Sequence, residues 1–317
     1  MNEHDNKQWP PTCTVAFLQT RAELYQTIRQ FFAEKNVLEV ETPVLSAAAS
    51  CDLNLESFST MCVADQLMYL QTSPEFSMKR LLAAGSGSIY QIAKSFRHSE
   101  RGRFHNPEFT LLEWYRVGFS LPDLMEEMVE LLMLCFGQNM AFRTVTYQQI
   151  VQQLTGLNPH RATLSELMEY AANQGNPEAV TICDGKLSNQ YVQPKLKKEI
   201  VYFVTDYPEC MAMLSKLSGT QLVTANRFEV YFNNVELANG YEELTDAVEQ
   251  KKRFQDELME RQQVGLANVP MDENLLAALA HGLPDCSGVA LGLDRLLMLM
   301  TDAKSIDEVL TFPIDRA

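Results

Sequence analysis

Two arginines and two glutamates, placed in three separate segments, are the side chains of this sequence best suited to bind a nucleoside triphosphate. They are Arg97, Glu236, Glu243 and Arg295. A guanidinium group can hold two phosphate oxygens at once, and carboxylate oxygens are the ligands that Mg²⁺ prefers in proteins. Without the metal, the same carboxylates would repel the phosphates. The four residues therefore predict that a nucleoside triphosphate binds through arginine and Mg²⁺.

Each of these segments also has a simpler interpretation when it is considered alone. Arg97 could belong to a solvated loop with surface ion pairs, and Glu236 and Glu243 could lie on an exposed strand face. Arg295 could be a helix-start residue that pairs with Asp294. We favour nucleotide binding because the three segments together supply both kinds of group that a triphosphate needs.

The common motifs of nucleotide binding and nucleophilic catalysis are absent from the sequence. It contains no G-x-x-x-x-G-K-[ST], no G-x-G-x-x-G, no G-x-S-x-G and no H-E-x-x-H. The glycines of the stretch AGSGSIY follow a predicted helix, so we interpret them as a helix end and a turn. The predicted site is therefore built from charged side chains and not from a glycine-rich loop.

Arg97 belongs to a cationic segment, SFRHSERGRFHNPEF at 95–109, in a chain whose formal net charge is −15. We interpret this segment as a loop whose cations face the triphosphate. The acidity of the rest of the chain argues against broad nucleic-acid binding, because that affinity comes from lysine and arginine. The cationic and titratable side chains of the segment are Arg97, His98, Arg101, Arg103 and His105.

Two predicted β-hairpins position three of the four charged side chains. Residues 88–96 and 108–119 are rich in aromatic and branched residues, and they predict two strands that flank the cationic loop. Residues 227–244 predict a second hairpin that turns at Asn233-Asn234. Its expected pairing sets Tyr231 opposite Glu236 and Val230 opposite Leu237. Arg295 follows at the junction of a glycine-bounded strand and the last helix.

The remaining pattern predicts helices that are grouped together and not alternated with strands. Leu18, Ala22, Tyr25, Ile28 and Phe32 share one face of a first helix. A later strand stops at Thr72, where Ser73 can cap a helix with Pro74 at its first position. Further helical patterns occupy most of 121–174, 246–265 and 273–282. We therefore predict an α+β fold, an antiparallel sheet flanked by helices.

The chain is long enough for one large domain with a proper core. It has 317 residues, of which 46% are hydrophobic and 21% charged, and no apolar run approaches the length of a membrane span. We predict an N-terminal tail at 1–15, a catalytic domain at 16–317 and a helical insertion at about 145–190. Seven cysteines without a C-x-x-C pair predict reduced thiols, and the absence of a secretory signal predicts a cytoplasmic protein.

Four stretches of the chain resemble, in order, the catalytic domain of class II aminoacyl-tRNA synthetases, and most closely the lysyl-type subgroup. They are TSPEFSMKRLL, FRHSERGRFHNPEFTLLEWY, VELANGYEEL and SGVALGLDRLLML. The cationic hairpin resembles motif 2 of that family and GLDR resembles motif 3. EVETP resembles motif 1, which lies at the family's dimer interface, so the resemblance implies a homodimer. It also implies the antiparallel sheet that the strand pattern predicts.

The resemblance implies a role for individual residues. Arg97 would contact the α-phosphate of ATP and Arg295 the γ-phosphate, and these two would be the catalytic residues. Glu236 and Glu243 would bind Mg²⁺, and Asn106 with Glu108 would shape the adenylate site. The other implied ATP contacts are Ser99, Glu100, Leu237 and Gly292. The implied contacts to the amino acid substrate are Ser73, Glu75, Tyr115, Glu243 and Ala290.

Two positions differ from the family pattern. Motif 2 usually reads F-R-x-E, whereas Ser99 occupies the glutamate position here and Glu100 follows one residue later. Lysyl enzymes also carry glycine where Ala290 lies. An added methyl group in an amine pocket is expected to alter which amino acid fits.

The implied chemistry is the attack of an amino acid carboxylate on the α-phosphate of ATP, followed by transfer from the acyl adenylate to an amine. The short segment before motif 1 leaves no room for the anticodon-binding β-barrel of lysyl-tRNA synthetases. In this respect the chain resembles a paralogue subgroup of lysyl-tRNA synthetases. Members of that subgroup activate (R)-β-lysine, or lysine, and attach it to a lysine side chain of elongation factor P. Two alternatives stay open. One is an enzyme that uses tRNA or a small amine as acceptor, as asparagine synthetase-like relatives do, and the other is an inactive paralogue that acts as a regulator.

Overall fold

The structure is a computed structural model that describes residues 9–62, 65–137, 139–174 and 192–317. The first eight residues of the predicted tail and the last part of the predicted insertion lie outside the described residues. None of the helices in the described part of the chain has the length and apolar character needed to span a bilayer.

Eight α-helices and twelve β-strands form the described part of the chain. The helices are α1 (Val15–Glu34), α2 (Glu75–Ala83), α3 (Leu121–Phe136), α4 (Tyr147–Thr155), α5 (Leu164–Asn173), α6 (Ala247–Gln263), α7 (Glu273–Gly282) and α8 (Leu293–Met300). The strands are β1 (Leu38–Glu39), β2 (Leu45–Ser46), β3 (Ser59–Met61), β4 (Leu67–Leu70), β5 (Ile89–Phe96), β6 (Glu108–Val117), β7 (Ala141–Thr146), β8 (Ile200–Pro208), β9 (Leu217–Ser218), β10 (Thr224–Phe232), β11 (Val235–Glu242) and β12 (Cys286–Gly292).

A central sheet runs in the order β1-β5-β6-β12-β11-β10-β8-β7, and β9 pairs with β10. The inner pairs from β5 to β8 are all antiparallel. The two outer pairs, β1 with β5 and β7 with β8, are parallel, so the sheet is mixed. The predicted α+β class is confirmed. A separate three-stranded sheet, β2-β4-β3, precedes α2.

The second hairpin has the predicted turn but not the full predicted pairing. Asn233 and Asn234 both adopt left-handed backbone angles, with φ of 50° and 63°. Tyr231 pairs with Glu236 as predicted, whereas Val230 pairs with Ala238 and not with Leu237. The cause is a β-bulge opposite Val230 and Tyr231, where β11 contains one extra residue, Leu237.

The two faces of the sheet have different roles. On one face α1, α3 and α8 cover a large apolar core, in which Phe32 lies against the rings of Tyr90 and Trp114. On the other face α2, α6 and α7 pack around Ile89 and Cys286 at one end of the sheet only. At the other end of that face, α4 and α5 pack around Tyr202, Val204 and Tyr231. The middle of the face, between these two clusters, carries polar side chains.

Two local predictions are wrong in detail. The core side of α1 buries Leu24, Ile28, Phe31 and Phe32, whereas Leu18 is exposed. Ser73 does not cap α2, because the N-cap residue is Pro74 and no side chain accepts a capping hydrogen bond.

The ends of the described chain lie together. The N–H of Thr12 donates to the carbonyl oxygen of Thr311 at 2.9 Å, and the Arg316 guanidinium donates to the carbonyl oxygen of Pro10 at 3.2 Å. The described part of the predicted tail is therefore attached to the C-terminal segment. The division into tail, domain and insertion stays a prediction.

The sequence predicted that all seven cysteines are reduced thiols, and this prediction is wrong. Cys210 is disulfide-bonded, and Cys183 lies outside the described residues. The other five are free: Cys13, Cys51, Cys62, Cys135 and Cys286.

Candidate active site

Arg295 joins three parts of the chain at the start of α8. Its Nε donates to the carbonyl oxygen of Phe104 at 3.1 Å, and its Nη1 donates to that of Glu236 at 2.9 Å. The alternative in which Arg295 pairs with Asp294 is wrong, because Asp294 forms an ion pair with Arg21 at 2.6 Å. The guanidinium of Arg295 is thus fixed between the cationic hairpin and β11.

Arg97 follows β5 directly and lies over the ring of Phe109, with 5.0 Å between guanidinium and ring centre. Its Nη1 donates to Glu100 Oε1 at 3.2 Å. Its Nε is buried and has no hydrogen-bond partner among the described residues. Buried N–H groups in folded proteins are almost always paired, so this atom indicates a place for a ligand oxygen.

The charges of Arg97 and Arg295 both act on Glu236 and His105. Burial and the negative charge of Glu229 raise the pKa of Glu236, while the charges of Arg295, Arg227 and Arg97 oppose that rise. Burial lowers the pKa of His105, and the positive charges of Arg295 and Arg97 lower it further. Both arginines therefore act on the same two residues. We name the space bordered by Arg97, His105, Glu236 and Arg295 the nucleotide corner.

The other cations of the hairpin do not face this corner, which corrects the prediction for the segment as a whole. Arg101 forms ion pairs with Asp307 and Asp315 at 2.9 and 2.5 Å. The Nε of Arg103 donates to the carbonyl oxygen of Lys304 at 2.7 Å. These arginines therefore bind the hairpin to the C-terminal segment.

Several residues predicted to contact ATP instead form hydrogen bonds, ion pairs or apolar contacts within the protein. The amide of Asn106 is buried, donates to the carbonyl oxygen of Glu108 at 2.6 Å and accepts from the N–H of Ile314 at 3.0 Å. The carboxylate of Glu108 pairs with Lys94 at the surface. The side chain of Leu237 is in the apolar core. Asn106 thus positions the hairpin, and Leu237 can reach a nucleotide only through its backbone.

Gly292 is the last residue of β12, immediately before α8. A Cβ at this position would lie 3.6 Å from Cδ of Arg295 and 3.7 Å from the carbonyl oxygen of Leu237. Gly292 is therefore next to the Arg295 side chain, and its contact with ATP stays a prediction.

The structure does not bring Glu236 and Glu243 together. They lie seven residues apart along β11 and its end, which corresponds to about 23 Å in a strand. The Glu243 carboxylate is instead 2.6 Å from the Nζ of Lys79. A single Mg²⁺ cannot bind both glutamates, because Mg²⁺ ligands lie about 2 Å from the metal.

Glu229 is the carboxylate whose charge acts on Glu236, and the sequence analysis did not single it out. Glu229 accepts hydrogen bonds from Tyr207, Tyr231 and Arg227. Glu236 has no side-chain partner among the described residues and is half-buried. The described residues hold no cluster of three or more metal-binding side chains. Two neighbouring carboxylates still suit Mg²⁺, which takes its remaining ligands from phosphates and water.

A second group of charged side chains surrounds Lys79. The ammonium of Lys79 lies 2.6 Å from Glu75 Oε1 and 2.6 Å from Glu243 Oε2, and only 1% of the lysine is exposed. Burial alone would lower the pKa of Lys79, but the charges of Glu243 and Glu75 raise it. Lys79 therefore stays charged between the two acids.

Glu113 and Tyr115 complete this group from β6. The hydroxyl of Tyr115 donates to Glu113 Oε1 at 2.6 Å, while Glu113 Oε2 is buried without a partner among the described residues. Burial and the charge of Glu75 raise the pKa of Glu113 to about 8. Burial also raises the pKa of Glu243 to about 7, although Lys79 opposes this. We name this group the amine pocket, formed by Glu75, Lys79, Glu113, Tyr115 and Glu243.

The sequence analysis missed Glu113, although a signal was present. Glu113 lies two residues before Tyr115 on a predicted strand, so the two side chains share a face. A buried acid with one unpaired oxygen beside other acids is a good partner for an ammonium group.

The absence of a side chain at Gly288 leaves space between Tyr115 and Glu243. A Cβ at Gly288 would lie 2.3 Å from two ring atoms of Tyr115 and 2.6 Å from Glu243 Oε1. No side chain fits there unless Tyr115 or Glu243 moves.

Ser73 lines a cavity of about 80 Å³ together with Glu75 and Tyr241. Its hydroxyl has no hydrogen-bond partner among the described residues. Because Glu75 belongs to both, this cavity adjoins the amine pocket.

One row of residues runs across four neighbouring strands from Glu229, whose charge acts on Glu236 of the nucleotide corner, to Glu113 of the amine pocket. Glu229 on β10 pairs with Asn239 on β11, Asn239 with Ala290 on β12, and Ala290 with Glu113 on β6. Directly paired residues in antiparallel strands point to the same face. Strands are about 4.8 Å apart, so the row spans about 14 Å. Ala290 lies between the two acidic ends of this row.

The family of tRNA synthetases class II (D, K and N) matches residues 13–316 of this sequence. The chain belongs to this family. Three similar proteins are each named "Elongation factor P--(R)-beta-lysine ligase". The one from Pseudoalteromonas translucida (strain TAC 125) is 47% identical, with 98% of this chain and 98% of the relative covered. Those from Vibrio cholerae serotype O1 and Edwardsiella ictaluri are each 45% identical, with 98% and 99% of this chain and 99% of each relative covered.

The departure from the synthetase motif 2 has a structural counterpart in this chain. Ser99 is exposed, and its hydroxyl donates to Glu56 Oε2 at 2.6 Å. The N–H of His98 donates to the carbonyl oxygen of Glu56 at 2.8 Å, and the His98 ring lies 3.2 Å from the same carboxylate. A glutamate from another segment therefore lies beside the position where the family carries its own.

Proposed function

We propose that this protein is an ATP-dependent ligase that activates (R)-β-lysine, or lysine, as an aminoacyl adenylate and transfers it to a lysine side chain of elongation factor P. The observation that carries the proposal is the row from Glu229 to Glu113, with the nucleotide corner at one end and the amine pocket at the other. The names of the relatives support the substrate and the acceptor.

The amine pocket selects a substrate that carries an ammonium group. The pocket contains three acids and one lysine, so a bound ammonium offsets the excess of negative charge. The unpaired oxygen of Glu113 supplies an acceptor for one of its N–H groups. A neutral or acidic amino acid would leave these carboxyls without a partner, which is costly in a buried site. The methyl group of Ala290 faces the chain that joins the ammonium to the carboxylate.

In the first step the substrate carboxylate attacks the α-phosphate of ATP, and pyrophosphate leaves. Arg97 offers its buried Nε to the phosphate oxygens, and Arg295 offers the part of its guanidinium that the backbone does not use. Catalysis of this kind needs positioning and charge neutralisation and no protein nucleophile. In the second step the acceptor amine attacks the adenylate carbonyl carbon, the bond to AMP breaks, and the amine loses its proton.

We assign the Mg²⁺ site to Glu236 and Glu229, in place of the pair Glu236 and Glu243. Bound Mg²⁺ would neutralise charge on the phosphate oxygens of ATP. Glu236 presents the half-buried carboxylate without a protein partner, and Glu229 is fixed by Tyr207, Tyr231 and Arg227.

We further infer a homodimer. The segments that resemble motif 1 and the helix before it expose four large apolar side chains, and such side chains favour an interface. They are Val15, Leu18, Leu38 and Val44. Sedimentation of the purified protein at micromolar concentration tests this, with twice the mass of the 35.9 kDa chain as the expected result. Because the reaction consumes ATP, we also infer a cytoplasmic location.

The test of the proposed activity is amino acid-dependent ATP–pyrophosphate exchange. We expect exchange with (R)-β-lysine and, more weakly, with lysine. Nε-acetyl-lysine, which lacks the side-chain ammonium, should give none. Exchange with all three substrates alike, or with none, would refute the proposal.

A further inference from the structure

Lys79 is a buried cation that no part of the proposed reaction uses. It lies on α2 one turn after Glu75, and its ammonium contacts one oxygen of Glu75 and one oxygen of Glu243. An ammonium group is stable in a protein interior only when it is paired. The two ion pairs therefore explain how Lys79 can be buried, and they leave open what it does for the site.

The contacts of Lys79 divide each carboxylate into a bound oxygen and a second oxygen. In Glu243 the second oxygen, Oε1, lies beside the ring of Tyr115 and the space above Gly288. In Glu75 the ion pair uses Oε1, so Oε2 remains. Lys79 makes no contact with the unpaired oxygen of Glu113. The lysine thus orients two acids and leaves three oxygens for another cation.

We propose that Lys79 is the positioning residue of the amine pocket: its two ion pairs orient the carboxylates of Glu75 and Glu243 for the ammonium group of the substrate. This inference rests on the proposed function. Lys79 itself does not touch the reacting atoms. It acts through the two acids, so its loss changes the affinity for the amino acid before it changes the chemical step.

Acidic side chains from several elements surround the charge of Lys79. Its positive charge lowers the pKa of Glu243 and of Glu113 against the rise that burial causes. Without Lys79, both acids should keep their protons to a higher pH and bind an ammonium less well at neutral pH. The titratable and charged groups around it are Glu75 on α2, Glu113 and Tyr115 on β6, Glu243 after β11, Cys286 on β12 and Lys216.

The test is Lys79→Met, which keeps the length of the side chain and removes its charge. Exchange kinetics are measured from pH 6.5 to 9. We expect KM for (R)-β-lysine to rise at least tenfold at pH 7.5 and to approach the wild-type value at pH 9, while KM for ATP changes less than twofold. The control is Lys94→Met, because Lys94 is exposed on β5 and pairs with Glu108 at the surface. It should match wild type at every pH.

A lysine that only fills space would give a different result. The role of Lys79 would be overturned if KM for (R)-β-lysine in Lys79→Met stayed within twofold of wild type at every pH. It would also be overturned if KM rose by the same factor at every pH. In both cases, exchange by the wild-type protein would still support the proposed function. A wild-type protein without amino acid-dependent exchange would overturn both.

A second variant covers the case in which Lys79→Met does not fold. Combining Lys79→Met with Glu75→Gln removes one buried cation and one buried acid together. This double variant is compared with Glu75→Gln alone. We expect a higher KM for (R)-β-lysine at pH 7.5 in the double variant, and equal values at every pH would overturn the inference.

Discussion

Two buried atoms that have neither a hydrogen bond nor an ion pair within the described part of the chain lie at opposite ends of the site. They are Nε of Arg97 and Oε2 of Glu113, one a donor and the other an acceptor. Leaving a buried polar atom unpaired costs about 1–3 kcal/mol, and charged groups cost more. A phosphate oxygen can satisfy Arg97 and an ammonium can satisfy Glu113. The site is therefore prepared for a ligand that is anionic at one end and cationic at the other.

The first prediction concerns Arg97. Replacing Arg97 by Ala should lower kcat for ATP–pyrophosphate exchange by about 100- to 1000-fold, since removal of one preorganised donor to a developing charge has this effect. Arg143 is exposed on β7, far from the hairpin, and Arg143→Ala is the matched control with unchanged kcat. Exchange in Arg97→Ala within fivefold of wild type would contradict the assignment.

The second prediction concerns pH. Burial raises the pKa of Glu113 from 4.5 to about 8 and the pKa of Glu243 to about 7, so both acids take up protons as pH falls through 8 and 7. An ammonium substrate prefers the ionised acids. KM for (R)-β-lysine should therefore be roughly tenfold higher at pH 7 than at pH 8.5. A flat KM over this range would contradict the charge assignment of the pocket.

The same pKa values determine how stability depends on pH. Between pH 4.5 and about 8 the folded Glu113 holds more protons than the unfolded one, so the free energy of unfolding falls as pH rises through this window. Substrate should offset that loss. The increase in Tm on adding (R)-β-lysine should then be larger at pH 8.5 than at pH 6.5, and Glu113→Gln should reduce the difference.

The third prediction concerns the position where the motif 2 glutamate is missing. The hydrogen bond from Ser99 lowers the pKa of Glu56, so Glu56 is a carboxylate at neutral pH. If it replaces the missing glutamate, Glu56→Gln should raise KM for ATP about five- to tenfold, and Ser99→Glu in the same chain should restore it. An unchanged KM for ATP in Glu56→Gln would show that Glu56 has no part in nucleotide binding. Glu23, on the surface of α1, supplies the control Glu23→Gln.

At the scale of elements, the cationic hairpin depends on the C-terminal segment. Arg101 pairs with Asp307 and Asp315, and Asn106 accepts from the N–H of Ile314. These contacts hold the loop that carries His105 and ends at β6. The hairpin is thus stabilised by residues about 200 positions later in the chain.

The fourth prediction tests this attachment. The combined change Asp307→Asn and Asp315→Asn should raise KM for ATP about threefold with kcat nearly unchanged, because exposed ion pairs contribute about 0.2–1 kcal/mol each. The effect should shrink at high salt, where such pairs are screened in wild type as well. Asp302→Asn, which removes an exposed pair with Lys304, is the control. A KM that is unchanged at low salt would contradict the proposed support of the hairpin.

Local patterns predicted the elements better than they predicted the contacts between them. Both hairpins and the Asn233-Asn234 turn follow from strand and turn propensities, which act over a few residues. The β-bulge in β11 and the ion pairs of Arg101 depend on tertiary contacts that no local pattern contains. The Mg²⁺ site that we propose differs in one carboxylate from the one predicted from the sequence. Glu236 and Glu243 are close in sequence, yet an extended strand separates them, and Glu229 on the neighbouring strand is the nearer partner in space.

At the scale of the whole molecule, one face of the sheet carries a large apolar core and the other face carries the candidate active site. One face is covered by α1, α3 and α8 around an apolar core, and the other carries both halves of the site along one row of paired residues. The net charge of −15 does not oppose ATP binding. Two arginines face the nucleotide corner, while Arg101 and Arg103 attach the hairpin to the C-terminal segment.

The most direct test of the account is the fate of labelled (R)-β-lysine when the protein is incubated with ATP, Mg²⁺, elongation factor P and bulk tRNA in one mixture. We predict that the label enters elongation factor P at a lysine side chain, and that Arg97→Ala abolishes the transfer. Label on tRNA, or label on neither polymer while the wild-type protein is folded, would contradict the account.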